Sequence, residues 1–314
     1  DDGAYLNRTP SSAGNRRTFT LSFWIKRAAF TANTGRAIFY AGTAGQTQNR
    51  TGLLIGNAAF SGSGNSLVFG QDTGGAWATM RETTALFRDH SAWAHIVLAV
   101  DTTQINGTDR IKIYVNGVLQ TNFATTNDPA QNFTFLVNNN VDHYIGKDVG
   151  GYVGNLDAYL ADFHLIDGQA LAATDFGEFD VDTGVWDPIR FSGNHGTNGF
   201  HLDFSDNSSD SALGTDAAGS NNWNVNNLRA VATGTNYADY VYAGDSTYDS
   251  TETGTNYFTG AGSNENLFDG NLNSQVGGTN ASNSWVYFRP ATAITGVTSL
   301  RLYGAYNSTT KVNG

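Results

Sequence analysis

The chain has 314 residues, a formal net charge of −11 and no cysteine, with 37 glycines but only 4 prolines. The acidic balance argues against nucleic acid as a partner, because phosphate binding needs a basic patch, and it disfavours anionic membrane surfaces. The absence of cysteine excludes disulfides and thiolate metal ligands, and no run approaches the ~18 apolar residues of a membrane-spanning helix.

Many glycines and aromatic residues in short segments predict an all-β chain with many turns. Residues 19–25 alternate, which places Phe19, Leu21, Phe23 and Ile25 on one face of the first long strand. Further short strands follow at intervals of roughly ten residues, the spacing of a β-sandwich. They are predicted at 36–40, 51–55, 67–69 and 77–79.

Two apolar runs form the centre of the predicted sandwich. Residues 93–100 (WAHIVLAV) are apolar at almost every position, as in a strand that is covered on both faces. The second run, IKIYV, closes on Asn116-Gly117. Asn-Gly between such runs predicts a type I′ hairpin, because both turn positions need positive φ, and it sets Val115 opposite Val118.

Three more strands and one helix complete the pattern. The strands are predicted at 133–137, 143–145 and 158–166, and the helix at 169–176. In the last strand, odd-numbered residues from Tyr159 to Leu165 should share one face and even-numbered residues the other.

These elements, in this order, resemble the laminin G-like (concanavalin A-like lectin/glucanase) jelly-roll family. The resemblance lies in W-x-H-I-V-L-x-V-D followed by I-K-I-Y-V-N-G-V-L, with FTLSFWIKR as the early strand and residues 155–176 as the closing strand and short helix. It implies a jelly roll over residues 1–180. This fold hosts lectins, adhesive modules and glycosidases alike, so the resemblance is specific for fold and not for chemistry.

The remainder of the chain is less regular. Residues 181–235 are predicted as an irregular connector with one or two strands, and 236–314 as part of a second β-sandwich that resembles the first half of a galactose-binding-like (discoidin-like) module. The connector, with GFHLDFSDNSS, resembles a segment of fibre and appendage proteins of tailed phages, cyanophages in particular. Because the chain starts without Met, we expect a piece of a longer polypeptide.

One sequence motif suggests catalysis. On a strand, Glu178, Asp180 and Asp182 would share one face, as the carboxylates of retaining glycosidases do, and laminarinase-type relatives carry a similar motif. Here the third carboxylate is Asp instead of Glu, and the motif follows the closing strand instead of lying on a central concave one. We therefore predict a protein that is not an enzyme.

Calcium is the one metal that we predict. The six histidines show no zinc-binding spacing, and His95 and His164 are expected to be packed within strands. The family resemblance implies a calcium site at the rim of the sandwich, built from loop aspartates and carbonyl groups. The candidate ligands, each of which also suits a turn, are Asp101, Asp109, Asp142 and Asp148.

Carbohydrate is the predicted ligand. Trp77 in GGAWAT and Tyr152 in GGYVGN are aromatic residues in glycine-rich surroundings, where a ring can stack on a sugar, and Asn155 belongs to the second segment. For both rings a position at the end of a strand within the core is an equally good interpretation, and for Trp77, whose neighbours resemble a strand, it is the favoured one.

Together these features predict a non-enzymatic module of a virion appendage or fibre, on the virion surface or extracellular, that binds host-surface carbohydrate through rim loops. Expected partners are other virion proteins or further copies of the chain in a homo-oligomer. The first alternative is a purely structural, self-assembling protein, in which Asn-rich runs such as residues 138–140 ladder between subunits. The second is a laminarinase-like glycoside hydrolase.

Overall fold

The computed structural model describes residues 3–28, 35–56, 64–151, 153–228 and 230, together with two short strands further on. The chain divides into two compact units, Asp1–Val231 and Ala232–Gly314. In the second unit, β17 (Tyr240–Gly244) pairs antiparallel with β18 (Trp285–Arg289). The rest of the predicted module at 236–314 lies outside the described residues.

Eight strands of the first unit form one antiparallel sheet. They are β1 (Tyr5–Arg8), β3 (Arg36–Gly42), β4 (Arg50–Ile55), β5 (Ser66–Thr73), β6 (Ala76–Leu86), β10 (Phe123–Asn127), β11 (Asp142–Ile145) and β16 (Asn224–Asn226). Their order across the sheet is β10-β6-β5-β4-β3-β11-β1-β16.

Six strands form the second sheet, which packs against the first. They are β2 (Thr18–Arg27), β7 (Ala94–Asp101), β8 (Ile111–Val115), β9 (Val118–Leu119), β12 (Ala158–Asp167) and β15 (Phe200–Leu202), in the order β15-β12-β2-β7-β8-β9. A separate hairpin joins β13 (Gly177–Phe179) to β14 (Trp186–Pro188). Among the described residues, 3-10 turns lie at Gly107–Asp109, Ala173–Asp175 and Ser211–Gly214.

Aromatic side chains from both sheets fill the space between them. Phe23 of β2 stacks on Phe163 of β12 with ring centroids 4.9 Å apart, and Phe39 of β3 reaches the same ring from the other sheet at 6.4 Å. Each of these rings is fully buried, and burying such a side chain stabilises the fold by about 1.5–3 kcal/mol. The core therefore explains why the chain folds as a sandwich without disulfides.

Two chain segments cover the outer faces of the sheets. On the eight-stranded sheet, Val149 and Val153 of the loop after β11 pack on Tyr40, Leu54 and Val68. On the six-stranded sheet, the segment after β12 packs over Val97 and Ile166 through Ala173, Phe176 and Trp186. β7 is consequently buried on both faces.

The strongest sequence predictions are confirmed. The all-β sandwich is present, the four alternating apolar residues of β2 all face the core, and residues 95–100 of β7 are buried. Asn116 and Gly117 have φ values of 47° and 79°, as a type I′ turn requires, and Val115 is opposite Val118. Among the described residues, no helix is long and apolar enough to cross a membrane.

Two predicted elements are wrong. Residues 133–137 form no strand, although Phe135 and Val137 are fully buried. The amide of Leu136 instead donates to the side chains of Thr51 and Gln71, so loop contacts replace a strand ladder. The helix predicted at 169–176 is reduced to the three-residue turn Ala173–Asp175.

The predicted alternation of β12 holds for only part of the strand. A β-bulge between Ala161 and His164, where Asp162 has a φ of 52°, shifts the pairing with β2. Before the bulge Leu160 packs on the core, and after it Phe163 does. The extra residue therefore exchanges the faces, because side chains alternate with a period of two.

The first unit also extends beyond the boundary predicted at residue 180. β15 pairs with β12, and β16 pairs with β1, so both sheets take an edge strand from the predicted connector. Trp223 anchors this segment in the core, where its ring packs edge-on against Phe200 at 4.8 Å. The strands β15 and β16 of the predicted connector are therefore part of the sandwich.

Candidate functional site

A cavity of about 330 Å³ lies at one end of the sandwich, between the two sheets. Its floor is apolar and belongs to the core, as Ile25, Ile55 and Ile96 show. Polar and aromatic residues line the cavity beside further aliphatic ones, and Trp93, 41% exposed, lies directly before β7. The volume falls within the range of small-ligand sites, about 300–1,000 Å³, so this is the candidate binding site.

The loop before Trp93 is fixed by a local turn. The Asp89 carboxylate accepts hydrogen bonds from the amide of Ser91 at 2.7 Å and from its hydroxyl at 2.6 Å. These bonds hold the pKa of Asp89 below its usual value. Across the cavity, Asn116 is fixed by its side-chain oxygen, which accepts the amide of His95 at 2.7 Å. The walls of the cavity are therefore ordered by hydrogen bonds of their own.

Two guanidinium groups, those of Arg27 and Arg88, also line the cavity. Arg27 is buried, and burial, with a smaller contribution from the nearby charge of Arg36, lowers its pKa to about 10. At neutral pH the group is still protonated. Arg88 is exposed, so the cavity carries positive charge both on its inner wall and at its mouth.

The two described residues of the three predicted to bind carbohydrate, Trp77 and Asn155, lie apart from each other. Trp77 lies half-buried on the outer face of the eight-stranded sheet and packs over Gly70, where an added Cβ would come within 2.9 Å of the indole. Asn155 lies beside the start of β3, where its carbonyl accepts Arg36 Nη1 at 3.1 Å. The register of the paired strands places Trp77 beside the end of β3, opposite to the end at which Asn155 lies. The seven residues of β3 span about 20 Å, which separates the two side chains. Tyr152 lies outside the described residues.

Two of the predicted calcium ligands lie where β7 connects to β8: Asp101 ends β7, and Asp109 lies in the connection. Asp101 accepts hydrogen bonds from the Thr103 amide and hydroxyl, at 3.0 and 2.6 Å, and from Gln104 Nε2 at 2.6 Å. Burial alone would raise the pKa of Asp101, but these bonds outweigh it and leave the pKa lowered. Asp109 lies in the following 3-10 turn, 3.9 Å from Lys112 Nζ. Both are engaged as turn residues.

The other two candidates flank β11. Asp142 accepts the hydroxyl of Thr9, and Asp148 is fully buried in an ion pair with Arg50 at 2.5 Å. Among the described residues, a group of three metal-ligating side chains lies within 4.8 Å, and none of the four aspartates belongs to it. They therefore form no shared cluster of three, and a rim calcium ion held by one or two of these aspartates with loop carbonyl groups stays a prediction.

The motif that suggested catalysis forms a turn. β13 ends at Phe179, so Asp180 and Asp182 are not on a strand and do not share the face that catalysis would require with Glu178. The Asp180 carboxylate accepts the Thr183 amide and hydroxyl, both at 2.7 Å, and caps the turn between β13 and β14.

Ser22 and His95 form a buried pair that resembles a nucleophile and its base. Trp186 Nε1 donates to His95 Nδ1 at 3.0 Å, so the ring proton is on Nε2 and points to Ser22 Oγ at 2.9 Å. Burial lowers the pKa of His95 to about 4. His95 is therefore a neutral donor to Ser22 and not its base, in agreement with the prediction of a packed, hydrogen-bonded histidine.

Sequence reasoning missed the cavity residues Arg88, Asp89 and Trp93. The available signal was the cluster FRDHSAW, in which charged and aromatic residues directly precede a buried strand. What the sequence did not show is that the loop faces the Asn116 turn across the open end of the sandwich.

Several solved structures are similar to parts of this chain. One is a Bacteroides ovatus protein with a suggested role in carbohydrate binding, at 18% identity and a TM-score of 0.43, covering 71% of this chain and 56% of that one. A second is the CBM40 of a Ruminococcus gnavus IT-sialidase bound to α2,3 sialyllactose, at 15% identity and a TM-score of 0.37, covering 54% and 95%. A third is a heptameric SAP-like pentraxin from Limulus polyphemus, at 16% identity and a TM-score of 0.31, covering 55% and 79%.

At these identities and TM-scores the likenesses carry no argument about ligand or activity. A search among curated proteins found no match. The family model described as the concanavalin A-like lectin/glucanases superfamily matches residues 1–175. Because that match covers more than half of the 314 residues, the chain belongs to the concanavalin A-like lectin/glucanases superfamily.

Proposed function

We propose that this chain is a non-catalytic carbohydrate-binding module that takes one sugar residue at the mouth of the cavity beside Trp93. The observation that carries the proposal is a partly exposed indole at the edge of a cavity of about 330 Å³. Indole rings stack on the apolar face of a pyranose, while polar groups around the ring bind its hydroxyls. Family membership supports a lectin-like role.

The charges of the cavity favour an acidic sugar. Arg27 and Arg88 supply two cations, and a guanidinium binds a carboxylate through paired hydrogen bonds. The carboxylate of Asp89 is held in its own turn by Ser91. Among the described residues that line the cavity, Asp89 has the only carboxylate, whereas glycoside hydrolysis uses two. This composition supports binding without turnover.

The test is a glycan array that includes sialylated and uronic-acid-containing glycans, probed with the full chain. We expect Trp93→Ala to lose about tenfold in affinity or more, since the ring contributes ~1.5–3 kcal/mol of apolar burial and about 1.4 kcal/mol is tenfold. Tyr159→Ala is the matched control, because Tyr159 is 64% exposed on β12 and does not line the cavity. Arg88→Ala should weaken the binding of acidic glycans and leave the binding of neutral glycans unchanged.

Two further arms separate the alternatives. If Trp77→Ala lost binding and Trp93→Ala did not, the cavity would not be the binding site. The site would then lie on the outer face of the eight-stranded sheet. A calcium chelator tests the predicted rim calcium, and release of reducing sugar from any bound glycan would revive the glycosidase alternative.

We also propose that the chain is displayed on a virion appendage or another extracellular surface. Its partners there would be virion proteins or further copies of the chain. Exposed apolar side chains on the β13–β14 hairpin favour self-assembly as the second candidate function. Phe179, Val181 and Val185 are 51%, 95% and 55% exposed, and clustered exposed apolar residues often mark protein contacts. Light scattering of the full chain and of Val181→Glu tests this, since an oligomer built on the hairpin should dissociate in the variant.

A further inference from the structure

A cluster of three histidines and one aspartate lies on the outer face of the six-stranded sheet, beside the edge strand β15. Its members are Asp162, His164, His195 and His201. These residues show no metal-binding spacing in the sequence, because they come from β12, from β15 and from the loop between β14 and β15.

Two features of the backbone bring the cluster together. The bulge at Asp162, with its positive φ, turns the carboxylate toward His164, and bulges often redirect a side chain in this way. In the register of β12 and β15, His164 is directly opposite His201. Opposite positions on antiparallel strands have Cβ atoms about 4.5–5.5 Å apart, so two imidazoles can reach one ion.

The ligand atoms already converge. Asp162 Oδ1 lies 3.3 Å from His164 Nε2 and 2.5 Å from His201 Nε2. Two ligands of a tetrahedral zinc ion, each at ~2.0–2.1 Å from the metal, are about 3.3 Å apart. The first distance therefore fits as it stands, and the second has to open by less than 1 Å.

His195 is not one of the proposed ligands, but it contacts one of them, His164. Its Nε2 lies 3.1 Å from His164 Nδ1. In the metal-bound state His164 would donate its Nδ1 proton to His195 and present the lone pair of Nε2, which faces Asp162, to the ion. Metal-ligating histidines commonly donate their second nitrogen to such a partner, which fixes the tautomer and the orientation of the ring.

The loop that carries His195 is itself tightly held. The carbonyl of His195 accepts a hydrogen bond from the amide of Asp167 at 2.7 Å. A Cβ at Gly199 would come within 1.8 Å of that same carbonyl, so the close approach of the loop requires glycine there. The position of His195 is therefore set by the backbone.

We propose that Asp162, His164 and His201 bind a divalent transition-metal ion of the zinc class, with His195 as the hydrogen-bonding partner of His164. Two imidazoles and one carboxylate leave a fourth tetrahedral position for water. Calcium and magnesium do not suit this set, because they prefer six or more oxygen ligands. The ion would fasten the three-residue edge strand β15 to β12.

One rearrangement is needed. The rings of His164 and His201 stack at 3.9 Å with an angle of 14°, so their lone pairs are nearly parallel. The rings must splay for both to point at one ion. The His201 side chain, 21% exposed, has room to turn, whereas that of His164 is 2% exposed and stays fixed.

The test is calorimetric titration of the untagged full chain at pH 7.5 with zinc chloride, followed by titration with cobalt chloride in the visible spectrum. We expect one ion per chain, cobalt bands of tetrahedral intensity, and a rise in Tm of about 5 °C or more at a hundredfold excess over Kd. His201→Ala should abolish all three. His195→Gln should weaken binding about tenfold or more while keeping the stoichiometry.

His90→Ala is the matched control, because His90 is exposed and lies outside the cluster. A chain that binds no zinc at 100-fold molar excess, or a His201→Ala variant that binds as the parent does, would overturn the proposal and leave a hydrogen-bonded cluster only. Comparison of Tm in metal-free buffer separates loss of the ion from misfolding of the variant.

Discussion

The buried ion pair between Arg50 and Asp148 gives the sharpest test of the loop that covers the eight-stranded sheet. Arg50 Nη1 lies 2.5 Å from Asp148 Oδ2, and the two side chains are 6% and 0% exposed. The Asp148 carboxylate also accepts the amides of Gly150 and Val153, at 3.1 and 3.2 Å. One side chain therefore neutralises a buried charge and shapes the loop.

The perturbation is Asp148→Asn, which keeps the shape of the side chain and removes its charge. We expect the free energy of unfolding to fall by about 3–5 kcal/mol, because the variant leaves Arg50 charged and buried. Arg50→Met in the same chain removes that charge as well. Compared with Asp148→Asn alone, the double variant should regain about 2 kcal/mol or more of the free energy of unfolding, because contacting residues are energetically coupled.

The assay is urea unfolding of the parent, the two single variants and the double variant, with and without calcium. A loss below about 1 kcal/mol for Asp148→Asn, or losses that simply add, would refute the reasoning, since distant sites are additive and buried pairs are not. If Asp148 were instead a calcium ligand, calcium would stabilise the parent and not Asp148→Asn.

Three further predictions concern stability. Phe135→Ala should cost about 3–5 kcal/mol in urea unfolding although the residue lies in a loop, whereas Phe179→Ala, at a side chain 51% exposed, should cost far less. Burial lowers the pKa of His143 from 6.5 to about 4, so its contribution to stability is complete above pH 6.5 and is lost as the pH falls toward 4. Urea midpoints across that range should show a shallower slope in His143→Gln. Trp186→Phe removes the donor to His95 and should lower stability by about 1–3 kcal/mol, with the ring-nitrogen NMR shifts of His95 as the direct readout.

Local patterns were enough to predict the centre of the sandwich. The Asn116-Gly117 turn needs positive φ at both residues, a property of the residues themselves. The alternation from Phe19 to Ile25 similarly reports which face of β2 is buried. In both cases the information lies within a few residues of sequence, so no knowledge of the partner strand was needed.

The error at residues 133–137 has a different origin. An apolar run shows that side chains are buried, but not how the backbone amides are satisfied. Here the amide of Leu136 donates to two side chains, and that of Phe135 to the carbonyl of Arg16. Burial of Phe135 was therefore readable from the sequence, and the loop conformation was not, because its partners come from distant parts of the chain.

The pairing of residues beyond 180 with the two sheets was hidden for a related reason. The strands Phe200–Leu202 and Asn224–Asn226 are three residues long and lie among Gly, Asn and Ser, which are typical of loops. Their place in the sheets depends on pairing with strands formed by much earlier residues, at Phe163–Leu165 and Tyr5–Asn7. Such pairing leaves little trace in a short local pattern.

The histidine cluster depends on the same long-range pairing and is therefore sensitive to the register of the two strands. Asp162 and His164 are neighbours in sequence, but His201 joins them only because β15 pairs with β12 in one register. A shift of that register by one residue would turn His201 toward the core and bring a phenylalanine or leucine to the outer face. The buried side chains of Phe200 and Leu202 oppose such a shift, so the packing of the core fixes the geometry of a cluster on the opposite face of the sheet.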